Sequence, residues 1–90
     1  MNFPLLCRPV SGIDATAAFG PHLAAEIAAL KALRDRGILV SAYTLDGPGA
    51  ALFVDVASAA DADDVAAELP LNVAGLLDVE IIALQPIPGL

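Results

Sequence analysis

Ninety residues are enough for one domain with a modest core, and 58% of them are hydrophobic, more than an isolated chain of this size readily hides. A net charge of −7 with four Lys or Arg offers no electrostatic footprint for nucleic acid or an anionic membrane surface. One Cys cannot form an internal disulfide, no metal-ligand spacing is present, and no apolar stretch approaches the ~20 residues of a membrane span.

The N-terminus lacks a basic flank followed by a long apolar run, so no signal peptide is read and a cytoplasmic protein is expected. Residues 3–9, FPLLCRP, predict a short strand, with Pro4 suited to a strand start or an outer position. SGID turns the chain, and Ser11 or Asp14 can cap a helix beginning there. A helical region then runs from about residue 14 to residue 36, interrupted at Gly20-Pro21. Pro21 belongs in a first turn, which puts the firm helix at 21–36, closed by Gly37. ILVSAYTL (38–45) and AALFVDV (50–56) predict two strands joined through the turn signal DGPG. Ser58 and Asp61 can cap a second helix over 59–69, which Pro70 stops. A fourth strand is predicted over 78–84, and the QPIPGL tail is extended.

The order is β-α-β-β-α-β in a single domain of the α+β class, the ferredoxin-like arrangement with a four-stranded antiparallel sheet. Two helices cover one face of such a sheet. In the third strand Leu52, Val54 and Val56 face one way, while Ala51 and Phe53 face the other. In the fourth, Val79, Ile81 and Ala83 oppose Ile82 and Leu84. Both faces are apolar, unlike a half-solvated antiparallel sheet. A second copy packed face to face is the economical cover, which predicts a homodimeric α/β barrel. The apolar stretch LNVAGLL (71–77) is then expected to bury Leu71, Val73 and Leu76 or Leu77 along the barrel end.

ELPL (68–71) followed by GLLDVEIIAL (75–84) resembles the muconolactone isomerase-like branch of the dimeric α/β-barrel proteins. An acidic residue in a Leu-rich first helix (Glu26), the Gly after that helix (Gly37) and FVDV in the third strand fit the same pattern. The resemblance implies a homodimeric barrel and, in the founding enzyme, cofactor-free proton transfer within an unsaturated lactone. The chain departs from that enzyme at the turn DGPGA (46–50), which carries no His and no aromatic residue, and in having Tyr43 alone and no Trp.

Glu26 is the first candidate for chemistry. It lies within roughly 40° of Leu30 and Leu33 on a helical projection at about 100° per residue, with Leu23 and Leu30 on the same side. A carboxylate in an apolar stripe has its pKa raised by desolvation, which suits a general acid or base. The alternative is a Glu at the stripe's edge that reaches solvent. His22, four residues earlier, either pairs with Glu26 near a cavity mouth or makes a weak exposed ion pair. Tyr43 can hold a ligand carbonyl or simply satisfy a structural hydrogen bond. Arg8 can clamp a carboxylate or neutralise surplus acid. Asp55 falls on the Phe53 face, so both are candidates for the barrel lining, where a carboxylate needs a partner or a place at the rim. Cys7 reads as a small buried hydrophobe. No phosphate loop, metal cage or nucleophile triad is present, and no cofactor is implied.

The expectation is a small-molecule-binding homodimer, and if an enzyme, a cofactor-independent isomerase using Glu26 with support from His22, Tyr43 or Arg8. The rivals are a non-catalytic binding or assembly module and a cofactor-free oxygenase.

Overall fold

The computed structural model describes residues 1–90. Four strands, β1 (Asn2–Pro9), β2 (Leu39–Thr44), β3 (Ala50–Asp55) and β4 (Leu77–Ile81), form one sheet in the order β2-β3-β1-β4, every neighbouring pair antiparallel. With helices between β1 and β2 and between β3 and β4, this is the ferredoxin-like α+β fold.

Alternation places Phe3, Leu5 and Cys7 of β1 on the helix side, across from Val54, Leu52 and Ala50. All but the partly buried Ala50 join Phe19, Leu33, Leu39, Ala62, Val65, Ala66, Leu69, Leu71 and Leu77 in one core between sheet and helices. Asp14 starts α1 (Ala15–Phe19), its Oδ1 accepting from the Ala17 N–H at 3.2 Å. Gly20-Pro21-His22 forms one 3-10 turn, and α2 (Leu23–Asp35) comes directly after it. Helix α2 ends in a Schellman motif: the Ile38 N–H reaches the Leu33 carbonyl and the Gly37 N–H that of Arg34, both at 3.0 Å. Ser58 caps α3 (Ala59–Glu68), its Oγ accepting from the Asp61 N–H at 3.2 Å.

The segment after α3 departs from expectation. Pro70 ends α3 only by opening another helix, the single turn α4 (Pro70–Val73), in which it holds a first-turn position where its missing N–H is harmless. Gly75, at φ +75°, closes that turn with the Schellman pair seen after α2: Leu76 N–H to Leu71 carbonyl at 3.0 Å and Gly75 N–H to Asn72 carbonyl at 2.9 Å. A helical turn therefore opens the apolar stretch 71–77. Residues two apart share a side in an extended chain but lie about 200° apart on a helix. Leu71 is accordingly buried, and Val73, expected inside, is 72% exposed.

Strand β4 is also shorter than the predicted 78–84. The Ile82 N–H still donates to the Pro4 carbonyl at 2.9 Å, but Ala83 and Leu84 leave the ladder. Apolar alternation marks an extended segment; it does not say where the neighbouring strand stops offering partners.

Candidate functional site

Helix α2 lies along β2, and Leu33 enters the core near its C-terminal end. Towards its N-terminus a cleft of about 400 Å³ opens between helix and sheet. Leu23, Ile27 and Leu30 line the helix side, and Ala42 and Leu52 the sheet side. The β2–β3 turn, Gly47-Pro48-Gly49, borders it. Gly49 is required there: at φ +131°, a Cβ would sit 2.6 Å from the Cys7 carbonyl oxygen.

Glu26 projects into this cleft and is the one charged residue buried in the molecule, at 7% exposure. Its Oε1 accepts a 3.0 Å hydrogen bond from the Leu71 N–H. Pro70 donates nothing, so Leu71 carries the first free N–H of α4, and a carboxylate from α2 satisfies it. The second oxygen, Oε2, has no protein partner; because no fully buried side-chain oxygen is left unpaired, Oε2 reaches the open volume of the cleft. Desolvation raises the Glu26 pKa, and the Leu71 N–H bond, which favours the carboxylate, offsets part of that rise.

Cys7 of β1 lines the same cleft at 3% exposure. Burial, and secondarily the nearby Glu26 charge, push its thiol up to about 11. A neutral thiol is a poor nucleophile, so Cys7 adds polarizable surface rather than covalent chemistry. The sequence marks Cys7 as buried but not its approach to Glu26, which arises only when helix and sheet close around one cleft.

The remaining candidates do not gather around Glu26. His22 ends the 3-10 turn and is the N-cap of α2, with φ −106° and ψ −8°, outside the regular helix that carries Glu26. It makes no hydrogen bond or ion pair with that carboxyl and does not line the cleft. Strand register puts Tyr43, Phe53, Asp55 and Arg8 on the sheet face turned away from the helices. Tyr43 nonetheless lines the cleft from β2, and its ring meets that of Phe53 edge to face, centroids 6.0 Å apart. Asp55 Oδ1 accepts from the Met1 amino group at 2.9 Å, and Arg8 lies 3.8 Å from Glu80, both pairs exposed. Arg8 therefore lies too far to support Glu26: an odd–even difference along β1 separates it from the cleft by the thickness of the sheet. No three His, Cys, Asp or Glu side chains converge as a metal site requires.

No protein-family model matches the sequence, and no curated protein does. Among solved structures, the fold matches that of 5-chloro-2-hydroxyhydroquinone dehydrochlorinase from Burkholderia phenoliruptrix AC1100, in complex with 2,5-dihydroxybenzoquinone, with a TM-score of 0.80 over 94% of both chains. Sequence identity is 17%, so the likeness establishes the ferredoxin-like fold. The resemblance to the muconolactone isomerase-like family rests on the motifs alone.

Proposed function

We propose that the protein is a homodimer whose α2–sheet cleft binds a small, largely apolar or carboxylated molecule and moves a proton within it without a cofactor. One observation carries this reading: the only buried carboxyl lies in an apolar cleft, one oxygen held by the Leu71 N–H and the other open to a ligand. The fixed oxygen orients the group. The open oxygen takes a proton from an activated carbon and returns it to another on the same face of the substrate. A raised pKa brings the two protonation states closer in energy near neutrality, as such a shuttle needs. Unsaturated lactones are the first substrates to test. The structural neighbour's name denotes loss of hydrogen chloride, which also requires a proton transfer, so chlorinated hydroquinones belong in the same panel.

Solvent-deuterium exchange into each candidate, followed by NMR, tests the assignment. Glu26→Gln keeps an acceptor for Leu71 and removes the base, so exchange should fall by about 10²-fold or more. Exchange at the wild-type rate in that variant rules Glu26 out. A non-catalytic binding module is the second reading, favoured by the absence of any cationic or His partner for Glu26 in the cleft. Saturable binding with no exchange, and no oxygen consumption, would select it.

The homodimer would form through the sheet face opposite the helices, where Pro4, Leu6, Ala51, Phe53 and Tyr43 make an apolar strip.

A further inference from the structure

The groove between α2 and β2 does not end at the Glu26 cleft. A second hollow of about 340 Å³ continues along the same helix and strand, and the two share Ile27, Leu30 and Ala42. Its lining adds Lys31, Arg34 and Ser41. The chain has only four Lys or Arg against eleven acids, and two of the four border this one hollow. Ile27, Leu30, Lys31 and Arg34 follow the three- and four-residue spacing that puts them on one helix face. Apolar floor and cationic end therefore belong to a single stripe. Lys31 makes no ion pair, and Arg34 meets only its neighbour Asp35, Nε to Oδ1 at 3.9 Å, which leaves the rest of the guanidinium available.

We infer that the ligand of this groove is an elongated carboxylate: its anionic end is held by Lys31 and Arg34, and its apolar body runs over Ile27, Leu30 and Ala42 to Glu26. The inference deepens the proposed function and rests on its cleft. Along the α2 axis Lys31 and Arg34 lie about 8–12 Å beyond Glu26, taking a rise of about 1.5 Å per residue. A ligand with its carboxylate at that distance from the reacting carbon spans both hollows. In a molecule of net charge −7 an anion is repelled from most of the surface, so this local reversal of sign also selects where it enters.

Octanoate and uncharged octanol, titrated against the full chain by NMR at low ionic strength, separate the charge from the apolar body. Wild-type protein should bind octanoate about tenfold more tightly than octanol. Lys31→Gln with Arg34→Gln should bring the two ligands to near equality, whereas Arg36→Gln, outside the groove, should keep the preference. Equal affinity for the two ligands in the wild type, or an undiminished preference in the double variant, overturns the inference. Glu26→Gln should retain the octanoate preference; if it does so while proton exchange is also unchanged, the anchor stands and the catalytic reading falls. Loss of exchange in Glu26→Gln without any effect of the double variant on octanoate leaves the catalytic reading standing and overturns the anchor.

Discussion

Glu26 Oε1 accepts the Leu71 N–H at 3.0 Å, joining α2 to α4 across 45 residues of chain. The bond gives one side chain two duties. It caps a helix that opens on Pro70 and has no cap of its own, and it fixes the carboxyl that faces the cleft. Glu26→Ala should therefore destabilise the fold by about 1–3 kcal/mol, because the Leu71 N–H stays buried without an acceptor. Glu26→Gln should cost far less. Urea unfolding of the two variants checks the difference, and equal losses would deny the capping role.

The same carboxyl makes stability depend on pH in a direction opposite to that of a salt-bridged acid. Its pKa is raised above the ordinary value of 4.5, mainly by desolvation, so the folded state favours the protonated form. That contribution is fully present below the ordinary carboxylate range and is lost as pH rises through the folded value. Glu26→Gln does not titrate, so its melting temperature relative to that of the wild type should rise as pH goes from about 4 through neutrality. A difference that stays constant over this range would show that the carboxyl is not desolvated.

Much of this architecture was legible because it follows from local rules. Alternation in β1 and β3, the capping side chains Asp14 and Ser58, and Gly37 after α2 all act within a few residues, and each appears where expected. The short helix α4 was missed because its four residues carry too little periodicity to show and its cap lies 45 positions away. The candidate site was legible only in Glu26. A helical projection shows that a residue points inward; it does not show which strand lies beneath, so Cys7 was not connected to it. Tyr43, Phe53, Asp55 and Arg8 do share one face of the sheet, but of these only Tyr43 also lines the Glu26 cleft.

Cys7 offers a chemical readout of the cleft. With its pKa pushed from 9.0 to about 11, the thiolate population at neutral pH is about a hundredfold smaller than for an unperturbed thiol. Alkylation by iodoacetamide should be slower than for a free thiol by at least that factor, since burial also limits access. Glu26→Gln removes the neighbouring negative charge and should accelerate the reaction. A wild-type rate equal to that of free cysteine would contradict the placement of Cys7.

Two glycines should respond differently to alanine. Gly75→Ala meets no atom and strains only the backbone at φ +75°, for about 1 kcal/mol. Gly49→Ala adds a clash with the Cys7 carbonyl oxygen at 2.6 Å to an unfavourable φ of +131°. The β2–β3 turn must then shift away from β1, and it borders the cleft. Gly49→Ala should therefore lose more stability than Gly75→Ala and also weaken ligand binding, which Gly75→Ala should leave intact. Thermal shifts with and without octanoate separate the two effects.

The sheet face opposite the helices would carry the proposed dimer. On it Tyr43 is 61% exposed, and its ring meets Phe53 edge to face, beside Leu6 and Ala51. Exposed aromatic rings on a contiguous apolar strip are the usual anchors of an interface. Charges lie towards the edges, with Arg8 near Glu80 and Asp55 held by Met1, so the centre has no repulsive element to keep a second copy away. Sedimentation at micromolar concentration should show a dimer. Phe53→Glu should convert it to a folded monomer, because the residue leaves the helix-side core untouched while placing a carboxylate at the middle of the strip. Val54→Glu, one position along, should unfold the protein instead, since Val54 is fully buried beneath the helices. A wild-type monomer, or a dimer that survives Phe53→Glu, would move the interface elsewhere on the molecule.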